Sequence, residues 1–351
     1  MSFNYTTGLN NVGSFQVSGR PWLKTVSFTG VESKFYEFPN VTDYIKIMND
    51  VNGNKNANLN IVFCEPRRSV NMADMPSNQN LSTSITAAQE VTLSMWVKFE
   101  TLANPPGDVR LAHFTGTGLD IRVQSRNTDE IRTFVNSTAN GFDTKTTTSS
   151  PLAIDEWFNI IFIVKSGDTK VYLNGALLTQ TINTKTFPES FDTLTLGSTT
   201  SNHDGSYSNI YLFNRALTET EIAKVYNGSY KISPDTENSI DGLISWWAFE
   251  DNHYKTFFTT PDNGTTIFDR ISSNNLVVNT GTLTFEDGYS IDNALDRHKI
   301  TLYDQQEIKL NCKAKQIFLK SSANADVSIC AGLTNIPSEK MYQLTGPGID
   351  E

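Results

Sequence analysis

Aspartates in turns are the side chains of this sequence best suited to chemistry. Asp108, Asp129, Asp168 and Asp204 stand in the polar stretches ANPPGD, SRNTDE, KSGD and SNHDGS. Calcium takes about six to eight oxygen ligands from flexible loops, so four such loops gathered on one rim would suit that ion, or direct contact with sugar hydroxyls. Turn preference by itself also places aspartate there. The other candidates are scattered. His113, His203, His253 and His298 show no i, i+4 pair or other ligand spacing. Cys64, Cys312 and Cys330 lack metal spacing and read as small apolar strand residues in a reduced compartment. Glu250–Asp251 and Glu286–Asp287 are adjacent pairs, and adjacent strand residues face opposite ways. There is no nucleophile elbow, phosphate-cradling loop or dinucleotide fingerprint. The sequence therefore points away from catalysis and names no catalytic residue or organic cofactor.

A shared rim requires strands that run alternately up and down between those loops. VTLSMWVKF sets Met95 and Val97 on one side and Trp96 and Lys98 on the other. RLAHFTG, LDIRVQS and IRTFVNS follow at close intervals, then EWFNIIFIVK and the later strands. Such spacing marks an all-β sandwich. With 351 residues the chain has length for two domains. Its net charge of −10, without clustered Lys and Arg, argues against nucleic acid and anionic membrane surfaces. The opening MSFNYTTGLNNVGSF lacks the basic and apolar parts of a secretory signal. No apolar run approaches the length of a membrane span.

The two ends share one texture. KTVSFTG, FYEF, DYIKIMND and LNIVFCE come before residue 66, and HKITLYD, EIKLNCKAKQIFLK and DVSICAGLTNI come after residue 297. Neither end has enough strands for a stable sandwich; together they do. LNIVF is expected to return as the hairpin partner of DYIKIMND, and a register shift near Ala314 predicts a bend or bulge. The expected fold class is all-β, two jelly-roll sandwiches. Residues 1–65 plus 293–351 form a discontinuous base, and residues 66–292 form the inserted second domain.

In order, SMWVKF, EWFNIIF, VYLNGAL, LTLG and SNIYLFNRALTETEIAKVYNG resemble the laminin G-like, concanavalin A-like lectin jelly rolls, over Val91–Gly228. The resemblance implies a sandwich core around Trp96 and Trp157, a tight Asn174–Gly175 turn and a rim helix capped by Thr218 and Glu221. It also implies that GLISWWAFED (Gly242–Asp251) and FDRISSNN (Phe268–Asn275), which usually precede the Trp-Val strand, come late here, as in a circular permutation joined through Ser229–Asp241. Asp269 matches the family's aspartate, a structural or metal candidate. Of the consecutive Trp246 and Trp247, one ring should face the core and the other outward, towards a neighbouring domain or a sugar. Glycosidases of this fold carry E-x-D-x-x-E on one strand, a pattern this sequence lacks.

The flanks GSFQVSGRPWL, FYEFPNVTDYIKIMND and SICAGLTNIPSEKMYQLTGPGIDE resemble segments of virion structural proteins of marine phages and large algal viruses. These resemblances imply a non-enzymatic virion surface protein, made in the host cytoplasm without a signal. Its expected partners are capsid or other virion proteins, a cell-surface glycan and further copies of itself, with no nucleic acid and no membrane insertion. The alternative is a carbohydrate-active enzyme or its carbohydrate-binding module.

Overall fold

The computed structural model describes residues 20–50, 57–63, 68–72, 79–100, 108–126, 130–147, 152–198, 204–227, 240–249, 262–288 and 299–338. The chain divides into two compact units, Met1–Pro66 with Ser290–Glu351, and Arg67–Tyr289. Almost all regular structure is antiparallel strand. The first segment supplies β1 (Arg20–Phe28), β2 (Glu32–Glu37), β3 (Asn40–Asp50) and β4 (Leu59–Val62). The long middle supplies β5 (Arg68–Met72), β6 (Asn80–Ala88), β7 (Glu90–Phe99), β8 (Asp108–Gly116), β9 (Leu119–Arg126), β10 (Glu130–Ser137), β11 (Gly141–Thr146) and β12 (Trp157–Lys165). It continues with β13 (Lys170–Leu173), β14 (Ala176–Leu177), β15 (Phe191–Gly197), β16 (Gly205–Phe213), the helix α1 (Glu219–Tyr226), β17 (Leu243–Trp247), β18 (Thr266–Ile267), β19 (Leu276–Val278) and β20 (Thr284–Asp287). The last segment supplies β21 (Ile300–Leu302), β22 (Glu307–Leu310), β23 (Gln316–Ser321) and β24 (Ala325–Pro337).

In the first unit two four-stranded sheets, ordered β1-β24-β3-β22 and β2-β23-β4-β21, alternate strands from the two ends of the chain. Val26, Ile45, Ile47, Val327 and Ile329 of one sheet and Leu59, Ile61, Ile317 and Leu319 of the other share one core. Neither end could bury its apolar faces alone. β4 pairs with β21 and β23 rather than with β3, so LNIVF is not the hairpin partner of DYIKIMND. The shift near Ala314 is a change of sheet between β22 and β23. Thr42 bridges it, its hydroxyl donating to the Cys312 carbonyl at 2.8 Å and accepting from the Ala314 amide at 2.9 Å. Cys312 and Cys330 are free, half-buried thiols; Cys64 lies outside the described residues.

In the second unit one sheet is ordered β11-β10-β9-β8-β15-β6-β19-β18 and the other β14-β13-β12-β7-β16-β5-β20, with β17 also paired to β16. Leu93, Met95, Phe114, Ile121, Ile160, Phe162, Leu194 and Trp247 fill the space between them. The strands after α1 complete both sheets, β17 and β20 in one and β18 and β19 in the other. β7 and β12 are buried on both surfaces, which is why WFNIIFIVK is an apolar run rather than an alternation. The outer surface of that sheet holds Ile161, Ile163, Tyr172 and Phe213 under Leu217, Ile222 and Val225 of α1 and its approach. Thr218 and Glu221 form the expected capping box, with Thr218 N–H donating to Glu221 Oε2 at 2.8 Å.

Trp96 is buried on this outer surface, stacked on Tyr226 at 5.9 Å, and Trp157 is half-buried with Lys98 Nζ 5.4 Å from its ring centre. Neither ring belongs to the core between the sheets, because each side chain sits at an outward position of its strand. Asn174 and Gly175 both have positive φ, and a Cβ on Gly175 would lie 2.8 Å from Tyr226.

Candidate functional site

The four rim aspartates are not gathered. Asp204 precedes β16 at the end of the sheet where Gly205 pairs with Phe99, and its carbonyl accepts from Glu100 N–H at 3.0 Å. Asp168 sits at the opposite end, in the hairpin after Lys165, which pairs with Glu90. Nine residues of β7 separate these ends, roughly 30 Å at the usual strand rise. Asp168 takes Lys170 at 2.8 Å. Asp108, on the other sheet, takes Arg132 in a close contact and Arg126 at 3.7 Å. Asp129 lies outside the described residues. Among the described residues no three His, Cys, Asp or Glu side chains come together as a metal site, and Asp168 does not meet Asp204. The physical reason is β11. GFDTKT is a polar edge strand between β10 and β12, and one added strand reverses the direction of the next, which sends KSGD to the far end.

Asp269 is a structural group. It is 9% exposed, and its carboxylate accepts from Trp246 N–H (3.0 Å), Ile271 N–H (2.9 Å) and Ser272 Oγ (2.5 Å). Beside it the buried Arg270 pairs with Asp262 at 2.7 Å. Trp247 is in the core, donating to the Asn274 carbonyl at 2.8 Å, while Trp246 is 8% exposed and stacked on Tyr211.

The side chains that do converge lie on the outer surface of the other sheet, across β8, β9 and β10. Strand pairing sets them in rows: Arg132, Gln124 and Arg110; then Phe134, Arg122 and His113; then Asn136, Asp120 and Thr115. Arg122 grips Asp120 bidentately, with Nε to Oδ1 at 2.7 Å, and His113 Nε2 contacts the same oxygen at 2.7 Å. The Arg122 guanidinium lies 4.6 Å from the Phe134 ring centre, and Phe134 stacks on Phe142, which is 71% exposed. Burial raises the cost of charging Asp120, but the His113 and Arg122 hydrogen bonds outweigh it and hold the carboxyl below its ordinary range.

A β-bulge builds the first of these rows. Arg110 pairs with Gln124 and Ala112 with Val123, so Leu111 is an extra residue on β8. In an unbroken strand Arg110 and His113, three apart, would face opposite ways; the bulge puts both outward. Its displaced Leu111 carbonyl is taken at 2.8 Å by the hydroxyl of Tyr207, which crosses from β16 on the opposite sheet and is fully buried. Burial raises the Tyr207 pKa, so the hydroxyl keeps its proton.

The sequence profile of the concanavalin A-like lectin/glucanases superfamily matches residues 75–223. The chain carries a concanavalin A-like domain. No curated protein sequence matches the chain. Among solved structures it is similar to a protein from Bacteroides ovatus inferred to bind carbohydrate, at 11% identity over 78% of this chain and 93% of that one, TM-score 0.44. It is also similar to the heptameric pentraxin of Limulus polyphemus, at 10% identity over 71% and 96%, TM-score 0.37. Domain 4 of the arabinanase AbnA of Geobacillus stearothermophilus, solved with arabinotriose, is similar at 15% identity over 53% and 98%, TM-score 0.38.

The charged surface of the concanavalin A-like domain was within reach of the sequence. LDIRVQS and IRTFVNS alternate strictly, which puts Asp120, Arg122 and Gln124 beside Arg132, Phe134 and Asn136 on the non-core side. Arg110 was not, because nothing in RLAH announces a bulge.

Proposed function

We propose that this chain is a non-enzymatic glycan-binding protein whose concanavalin A-like domain takes sugar on the outer surface of β8–β10. The observation that carries this reading is the Phe134–Arg122–Asp120–His113 ladder. It combines an aromatic surface with rigid hydrogen-bonding groups, on a sheet surface that no helix covers among the described residues. Sugars offer hydroxyls to such fixed donors and acceptors and C–H faces to the rings. Nothing in the ladder acts as a nucleophile: Asp120 is locked by Arg122 and His113.

The base, in this reading, attaches the domain to a virion or to further copies of the chain. The resemblance of both flanks to virion structural proteins supports it, and in the same reading the late GLISWWAFED and FDRISSNN segments belong to a permuted domain. A glycan array probed with the wild type and with Arg122→Ala tests the binding. Retention of a defined set of glycans by the wild type and its loss in the variant is the expected result; equal retention by both would remove the face from the account. Imaging of particles with and without the protein tests the virion assignment, and unchanged surfaces would overturn it.

A further inference from the structure

Arg110 stands apart from the other cations of this surface. Arg122 has Asp120, and Arg132 and Arg126 have Asp108. Arg110 is half-buried and makes no ion pair or hydrogen bond among the described residues, with Arg122 as its cationic neighbour. Opposite it in the pairing stands Gln124, 3% exposed, whose buried side-chain oxygen has no hydrogen-bond partner among the described residues. A buried polar atom left unpaired costs about 1–3 kcal/mol, and the Arg110 guanidinium is also unfavourably placed, because burial and the like charge of Arg122 outweigh the attraction of Asp120. Both are held in place at further cost in fold, by a bulge whose carbonyl needs a buried tyrosine from the other sheet.

We infer that Arg110 and Gln124 form the recognition pocket for an acidic sugar residue, its anionic group on the Arg110 guanidinium and a neighbouring hydroxyl donating to Gln124 Oε1. This rests on the glycan-binding reading above and narrows it to one class of ligand. The planar guanidinium fork matches a carboxylate or a sulfate ester. Asp120 and Asp108 are hydrogen-bonded to other arginines, so Asp120 attracts Arg110 only at longer range and leaves its guanidinium fork open to a ligand. Burial and the nearby Arg122 push the Arg110 pKa down, and an anion between the two would reverse that penalty. In a protein of net charge −10 the pocket also supplies selectivity: only a ligand that reaches Arg110 overcomes the general repulsion of anions.

The test is an array carrying neutral, uronate-, sialate- and sulfate-bearing oligosaccharides, probed with the full chain, Arg110→Ala, Arg110→Lys and Gln124→Glu, each checked for folding by its melting curve. The wild type is expected to retain acidic glycans and to lose them as salt rises. Arg110→Ala should weaken retention by roughly tenfold or more, the effect of one charge-assisted hydrogen-bonded contact. Arg110→Lys, which keeps charge without the fork, should fall between. Gln124→Glu supplies Arg110 with an internal partner and should abolish retention while leaving or raising the melting temperature. The uronate, sialate and sulfate arms separate the sources of the anion. Retention of neutral glycans with no change in Arg110→Ala would overturn this inference and leave the general reading standing. Retention of no glycan of any class would overturn both.

Discussion

On one side of the sandwich the outer surface of the sheet is roofed. Ile161, Ile163 and Phe213 lie under Ile222 and Val225, and Trp96 is stacked against Tyr226. On the other side the outer surface carries arginines, a histidine, an aspartate, the half-buried Phe134 ring and the exposed Phe142 ring. The roofed side is held by apolar burial and a well-capped helix. The open side is held by ion pairs that contribute little to stability at partial exposure, so its arrangement needs another reason. A bulge tied from across the core, an arginine that has no ion pair and a buried amide oxygen that has no hydrogen bond among the described residues are features that folding alone does not favour. In the proposed reading, one surface is built for the protein and the other for contact.

Substitutions should separate the two sides by size of effect. Ile222→Ala, on the roofed side, empties a fully buried site and is expected to cost about 2–5 kcal/mol in denaturant unfolding; Arg122→Ala on the open side should cost under about 1 kcal/mol. Tyr207→Phe joins the two. It leaves the Leu111 carbonyl unpaired, at about 1–3 kcal/mol, and by loosening the bulge it should also weaken glycan retention, which a purely structural tyrosine would not. Thr218→Ala removes the helix cap for about 1 kcal/mol and should leave glycan binding unchanged.

The smallest effect is in pH. The Arg215 hydrogen bonds, with help from Thr218, depress the Glu221 pKa from 4.5 to about 2. A carboxyl lowered on folding stabilises the fold fully above its ordinary value, and that contribution is lost as pH falls through about 2. Glu221→Gln should therefore reduce the melting temperature near neutral pH and narrow the gap to wild type towards pH 2; a gap that widens in acid would contradict the assignment.

Much of the fold was legible. The alternation in VTLSMWVKF set Met95 and Val97 on the side opposite Trp96, and it is the Met95 side that faces the core; the spacing of Thr218 and Glu221 gave the helix start, and Asn174–Gly175 gave the turn. The matching texture of the two ends foretold their interleaving in the base sheets. The losses have physical causes. GFDTKT lacks the apolar alternation of a strand because it is an edge with one wet surface, and missing it reversed the direction assigned to the next strand and put Asp168 at the same end as Asp204. The resemblance put Trp96 and Trp157 in the core, yet both take outward positions, Trp96 stacked on Tyr226 and Trp157 under Lys98. The bulge at Leu111 depends on a hydrogen bond from a residue 96 positions away, and no local signal encodes it.

The central claim is that the open surface is the one that meets ligand. Hydrogen exchange of the whole chain, with and without the glycan most strongly retained on the array, measures it directly. The account predicts slowed exchange across β8, β9 and β10, centred on Arg110, Arg122 and Phe134, with α1 and the hairpin at Asp168 unaffected. Slowing confined to α1 or to that hairpin, with β8–β10 unchanged, would contradict it.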